Sequence, residues 1–301
     1  MSARLQWDTD GATWPHRQAS RFVDGGGLRW HAQLFAHASE AAPRLLLLHG
    51  TGASTHSWRD LVALLTPHCS VLALDLPGHG FSAMPPGGPS SPVFSLPGMA
   101  RSLTDLLQVL PFAPDWIVGH SAGAALAVRS CLDGLLAPRG VVALNGALVP
   151  LDGWAGQLFS PLAKLLALAP YVPEVFAWRA AKPSVLHRLL DGTGSHLSAE
   201  GRALYHQLTA NPGHVAGALG MVANWDLHTL WADLPRLHTP LHLLVGSNDL
   251  IVPPHSTARI LDVPSLQSSA QMHHLRGLGH LAHEEQPGPV AQYILGLVRK
   301  Q

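Results

Sequence analysis

Cysteine is scarce in this 301-residue chain, limited to Cys69 and Cys131. Two thiols are too few for a disulfide framework, so the fold must rest on a hydrophobic core, with both cysteines expected buried and reduced. Charge is scarce too, at 13% of residues, and 19 Lys and Arg offset 19 Asp and Glu. Nucleic-acid binding needs a clustered cationic excess to neutralise phosphates; the composition has none, so no nucleic-acid partner is expected. The longest apolar runs, Leu45–Leu48 and Gly140–Leu151, stop far short of the roughly 20 residues of a membrane-spanning helix. The first ten residues carry charges where a signal peptide needs its apolar stretch, and a soluble cytoplasmic protein is the expectation. What the chain does have is 47% hydrophobic residues, nine Trp and 20 His. The apolar content is ample for one large core. The histidines read as a reservoir of positive charge that fills only below about pH 6.5.

Short apolar runs alternate with longer patterns of helical spacing. Ser20–Asp24 and Leu28–Leu34 flank Gly25-Gly26-Gly27 and predict an opening hairpin. Arg44–Leu48, Val71–Leu74, Asp115–Val118, Val141–Leu144, Leu241–Val245 and His273–Leu275 read as strands. Ser57–Leu65, Met99–Leu110, Ser121–Leu136, Thr257–Leu261 and Val290–Val298 read as the helices between them. Strands apolar on both faces and separated by helices make an α/β fold, a mainly parallel central sheet flanked by helices. Between about Pro150 and Leu234 the strand signal vanishes. That stretch is helix-like, broken by Pro161, Pro170, Pro173, Pro183 and Pro212. The expected organisation is therefore a core of residues 1–149 and 235–301 with a helical cap insertion at 150–234. Its Trp154, Leu158, Phe159, Leu162, Leu165, Leu166 and Trp178 should mostly pack, with about one third of them facing a ligand cavity.

Gly119-His120-Ser121-Ala122-Gly123 sits between a predicted strand and a predicted helix. A sharp strand-to-helix turn needs small residues beside the serine, and it projects the hydroxyl at a helix N-terminus, where the dipole favours developing negative charge. Asp249 follows a strand in Gly246-Ser247-Asn248-Asp249, and His280 follows the last strand in Gly277-Leu278-Gly279-His280. The order Ser121, Asp249, His280 suits nucleophilic catalysis: serine attacks poorly until a histidine takes its proton, and the histidine needs a carboxylate to fix its tautomer. His49-Gly50-Thr51-Gly52 follows a strand, and the amides of Thr51 and Ala122 are the expected oxyanion hole. Structural readings stand beside these: a turn kept for folding at Ser121, an Asx turn at Asn248-Asp249, a plain loop histidine at His280. His79 reads as a loop residue and His49 as an orienting one. His273-His274, His280 and His283-Glu284-Glu285 complete no ligand spacing, so no metal site is expected.

Together, His49–Gly52, Asp75-Leu76-Pro77-Gly78-His79-Gly80-Phe81-Ser82, Gly119–Gly123, Asp249 and Gly279-His280 resemble the α/β-hydrolase superfamily, from about Phe22 onward. Haloalkane dehalogenases and epoxide hydrolases share this layout with an Asp nucleophile, so Ser121 points to the esterase-like branch. Some relatives place the triad acid after the preceding core strand; that position is Asn145 here, which favours Asp249. The leader Trp14-Pro15-His16-Arg17, then Ser20-Arg21-Phe22-Val23 and Gly27-Leu28-Arg29-Trp30-His31, resembles the magnesium-chelatase accessory proteins of bacteriochlorophyll biosynthesis in phototrophic bacteria.

That narrower resemblance implies a role near magnesium insertion into protoporphyrin IX. The implied partners are a hydrophobic small molecule, protoporphyrin IX or a magnesium-porphyrin, and magnesium-chelatase subunits. The implied location is cytoplasmic, with peripheral contact at the photosynthetic membrane. Two functions stay open: a serine hydrolase of an ester-like bond, needing no cofactor, and a non-catalytic porphyrin-binding or chelatase-assisting protein with a vestigial triad. An apolar cap suits tetrapyrrole esters and lipid-like esters equally.

Overall fold

The computed structural model describes residues 4–150, 169 and 171–299. Its strands are β1 (Ser20–Gly25), β2 (Leu28–Phe35), β3 (Arg44–Leu48), β4 (Ser70–Leu74), β5 (Trp116–His120), β6 (Gly140–Leu144), β7 (Leu241–Gly246) and β8 (Ala270–Leu275). They form one eight-stranded sheet in the order β1-β2-β4-β3-β5-β6-β7-β8. The β1–β2 hairpin and the β2–β4 pair are antiparallel, and all later pairings are parallel. The hairpin turns at Gly26 and Gly27, with φ of 60° and 75°. Two left-handed residues in a row match the twist of the flanking strands, which is why both positions are glycine.

Alternation along each central strand feeds two separate cores. Leu46 and Leu48 of β3 point into one with Leu72, Leu74, Ile117, Val141 and Leu243. Helices α2 (Leu96–Val109) and α3 (Ala122–Leu132) cover that face. Leu45 and Leu47 point the other way, with Val71, Val118 and Val142, under α1 (Arg59–Leu65) and a C-terminal helix, Pro287–Val298. Leu45 through Leu48 are all fully buried, and each contributes about 1.5–3 kcal/mol of transfer free energy.

The helix boundaries differ from expectation for local reasons. Helix α2 begins at Leu96, not Met99, because the Ser95 hydroxyl accepts from the Gly98 amide at 3.2 Å and Pro97 suits a first turn. Helix α3 stops at Leu132, short of Leu136, and Gly134 (φ 67°) reverses the chain. Ser57–Leu65 is a 3-10 turn, Thr55–Trp58, followed by α1. Thr257–Leu261 straddles a short helix, Pro254–Ala258, and a second 3-10 turn, Arg259–Asp262. Both cysteines are free, and burial pushes both thiols up to about 11; Cys69 is buried, but Cys131 is only partly so.

Between β6 and β7 the described residues form α4 (Val172–Ala180), α5 (Pro183–Asp191), α6 (Ala199–Thr209), α7 (Pro212–Asn224) and α8 (Leu227–Asp233). Pro173, Pro183 and Pro212 sit in first turns, where a missing N–H costs nothing, so they start helices rather than break them. Trp154, Leu158, Phe159, Leu162, Leu165 and Leu166 lie outside the described residues. Trp178 is 64% exposed. Among the described residues, no helix is long and apolar enough to cross a membrane.

Candidate active site

Strand β5 ends at His120 and α3 begins at Ala122, leaving Ser121 alone in the turn with φ 50° and ψ −115°. Such a backbone conformation costs on the order of 1–3 kcal/mol for a non-glycine residue. Both flanking glycines are required by contact. A Cβ at Gly119 would lie 2.5 Å from the Ala124 backbone, and one at Gly123 would lie 2.0 Å from the Leu48 carbonyl oxygen. The turn is held from outside by the Ser121 amide, which donates to the Leu144 carbonyl at 3.0 Å.

Asp249 is buried in the loop after β7. Its Oδ1 accepts from the amides of Ile251 and Val252, each at 2.8 Å. Its Oδ2 accepts from His280 Nδ1 at 2.9 Å and from Asn145 Nδ2 at 2.7 Å. The Asx-type turn and the histidine contact therefore coexist, one on each oxygen. A neutral imidazole that commits its Nδ1–H to a carboxylate presents Nε2 as a base. His280 and Ser121 line the same cavity, together with Gly50, Thr51 and Ala122.

Asn145 is more than a position without a carboxylate. It stands at the end of β6 with φ 46°, and its amide group donates to Asp249 and, at 3.3 Å, to the Gly279 carbonyl. It thus joins the loops carrying Asp249 and His280.

The Gly50–Gly52 loop lies directly against the serine: a Cβ at Gly50 would lie 3.0 Å from Ser121 Cβ and 2.8 Å from His120 Nδ1. His49 orients this loop, donating from Nδ1 to the Gly50 carbonyl at 2.8 Å and accepting from the Leu76 amide at 2.9 Å. His214 of α7 does the same from above. Its Nε2 donates to the Gly52 carbonyl at 3.1 Å, and its Nδ1 accepts from the Gly80 amide at 3.0 Å. Neither Asn145 nor His214 announced this role in the sequence, because each acts across more than 100 residues of chain.

Burial withdraws part of the histidine reservoir expected from composition. Burial holds the pKa of His49 below its ordinary value and those of His56, His79 and His120 well below it. Burial likewise lowers His214 to about 4 and His283 to about 3. These rings are neutral and structural at neutral pH. Beside them, α6 is fastened to the core. Tyr205 donates to Glu284 Oε1 at 2.7 Å, Ser57 donates to the same oxygen at 2.7 Å, and Arg59 donates to Oε2 at 3.1 Å.

The cavity has a volume of about 330 Å³ and is walled by Leu186, Leu190, Met221, Trp225, Leu227 and Val252. Its described lining contains no Asp, Glu, Lys or Arg. It can hold an apolar, uncharged group against Ser121 and gives a charged one no ionic partner among those residues.

Residues 45–293 match the model of the alpha/beta hydrolase family. The chain is 38% identical over 273 residues to the magnesium-chelatase 30 kDa subunit of Rhodobacter capsulatus, covering 91% of this chain and 92% of that one. It is 26% identical over 271 residues to an esterase of Mycobacterium tuberculosis, covering 86% and 83%. Among solved structures, an alpha/beta hydrolase fold protein from Burkholderia ambifaria superimposes with a TM-score of 0.72 at 20% identity, covering 98% of this chain and 100% of that one. The meta-cleavage product hydrolase of Pseudomonas fluorescens gives 0.73 at 18% identity, covering 93% and 97%. The chain belongs to the alpha/beta hydrolase family, and within it is similar over nearly its whole length to the Rhodobacter capsulatus protein.

Proposed function

We propose that this protein is a serine hydrolase of uncharged, apolar esters that works at the magnesium-chelatase step of bacteriochlorophyll biosynthesis. The observation that carries the reading is the Asp249–His280 contact at 2.9 Å, with the imidazole and the Ser121 hydroxyl facing one apolar cavity. Ser121 Oγ attacks the ester carbonyl carbon while His280 Nε2 takes its proton. The amides of Thr51 and Ala122 hold the oxyanion, a contribution of about 3 kcal/mol per donor. His280 then protonates the leaving alcohol, and the acyl group stays on Ser121. Water, deprotonated by His280, releases the acid and restores the serine. Asp249 orients the ring and stabilises its protonated form. In this reading, residues 150–234 are a cap whose helices shape the apolar wall.

The pathway assignment draws its support from the name of the Rhodobacter capsulatus relative. A porphyrin carries two propionate groups, and the uncharged described lining favours a macrocycle with an esterified side chain over a free diacid. That same relative is named as a chelatase subunit, and this supports a second reading: a porphyrin-binding or chelatase-assisting protein whose triad is idle. Two measurements separate them. Hydrolysis of a neutral chromogenic ester is expected to exceed that of its ω-carboxylate analogue by at least about 10-fold, the cost of one poorly compensated buried charge. Pigment synthesis in a strain lacking the protein should be rescued by the natural chain and not by Ser121→Ala. Full rescue by Ser121→Ala would overturn the hydrolase reading. Saturable quenching of Trp fluorescence by protoporphyrin IX in that variant would then favour the second.

A further inference from the structure

Helix α4 buries Pro173, Ala177 and Ala180, half-buries Val172 and Glu174, and exposes Val175, Phe176, Trp178 and Arg179. Tyr171, Val175 and Trp178 are 78, 54 and 64% exposed, while Phe176, on the opposite flank of the helix from Trp178, is 38% exposed. Positions 171, 175, 178 and 182 share one stripe of helical spacing, and the stripe ends on Lys182, whose ammonium lies 4.7 Å from the Trp178 ring centre. Soluble surfaces carry large apolar side chains singly, whereas a contiguous aromatic stripe marks an interaction face.

The chemistry beside the stripe names the partner. Arg179, Lys182 and Arg188 converge on one surface depression with Ser184 and Val185, and no carboxylate lines it among the described residues. Arg188 is followed on α5 by Leu189, which is 43% exposed and also lines the cavity that holds Ser121. An aromatic stripe, three cations and the rim of the cavity therefore lie on two consecutive helices.

We propose that this face docks on an anionic phospholipid bilayer. Trp178 and Tyr171 enter the interfacial zone, where amphipathic rings are most stable, with Val175 between them, and Arg179, Lys182 and Arg188 sit at the lipid phosphates with their alkyl stems along the acyl boundary. Leu189 then places the cavity mouth at the lipid surface, giving an apolar ester a path that avoids water. The proposal gives residues to the expected peripheral membrane contact and stands whether or not Ser121 reacts.

The test is co-flotation of the full-length protein with vesicles of phosphatidylcholine alone and of phosphatidylcholine with added phosphatidylglycerol. Partition is expected only with the anionic vesicles and should fall as salt rises. The triple variant Arg179→Gln/Lys182→Gln/Arg188→Gln should lose on the order of 100-fold in partition, about fivefold per cation. Tyr171→Ser/Trp178→Ser should release the protein from the same vesicles at unchanged charge. Both variants should keep the natural melting temperature and the natural rate on a soluble ester, since neither alters the wall of the cavity. No partition onto anionic vesicles, or partition that neither variant changes, would overturn the proposal. So would calorimetric binding of inorganic phosphate without vesicle binding, which would make the depression a small-anion site.

Discussion

Acidification is the perturbation to which this fold should respond most steeply. His214 and His283 are neutral in the folded protein, with burial holding them at about 4 and about 3 against an ordinary 6.5. The unfolded chain binds a proton at each below pH 6.5, so the native state holds fewer protons and acid favours unfolding. The loss starts near pH 6.5 and continues down to about 4 for His214 and about 3 for His283. At pH 5 each ring costs about 2 kcal/mol, and the two together about 4 kcal/mol, at up to 1.4 kcal/mol per pH unit per ring. His49, His56, His79 and His120 add to it in the same direction. Glu284, whose pKa burial raises, acts in the opposite sense and softens the loss near the bottom of this range. Against a typical 5–15 kcal/mol of total stability, such a loss is large. Urea unfolding at pH 7.5, 6 and 5 measures it, with His214→Gln for comparison. The variant should start less stable at pH 7.5 and lose about 2 kcal/mol less between pH 7.5 and 5, a mean slope shallower by about 0.8 kcal/mol per pH unit. A flat profile between pH 7.5 and 5, or an unchanged slope in His214→Gln, would refute the claim that these rings are neutral because they are buried.

Other predictions are simpler. Asn145→Ala removes one charge-assisted bond to Asp249 and should lower kcat on a soluble ester about 10- to 100-fold, the equivalent of 1.5–3 kcal/mol, with KM little changed; equal losses in a fluorimetric melt would point to a structural role alone. Tyr205→Phe removes one of the three buried donors to the Glu284 carboxylate, leaving Ser57 and Arg59, and should cost about 1–3 kcal/mol in urea unfolding. Gly123→Ala drives a Cβ to within 2.0 Å of the Leu48 carbonyl oxygen and should yield no folded protein by circular dichroism. Gly134→Ala, with open space but φ 67°, should fold and lose only about 1–2 kcal/mol.

What the sequence made legible was what is local. Leu45–Leu48 reads as a strand because four consecutive apolar residues can be buried only between two layers, and the structure places two in each core. Gly26-Gly27 and Gly119–Gly123 are readable because few other residues permit those turns. The α2 boundary was readable too, in Ser95 and Pro97, but periodicity alone begins at Met99. Contacts between distant segments left no trace: His214 reaches Gly52, Tyr205 reaches Glu284, and Asn145 reaches Asp249. Composition also could not say which histidines are buried: counting rings gives an acid-fillable reservoir, whereas burial takes His49, His56, His79, His120, His214 and His283 out of it.

The central claim concerns one hydroxyl group. Intact-protein mass spectrometry after exposure to a fluorophosphonate, with peptide mapping, reads it directly. The account predicts a single phosphonyl adduct on Ser121, absent from Ser121→Ala and slowed by His280→Ala and Asp249→Ala. A folded natural protein that takes up no adduct, or takes it up on another residue, would contradict it.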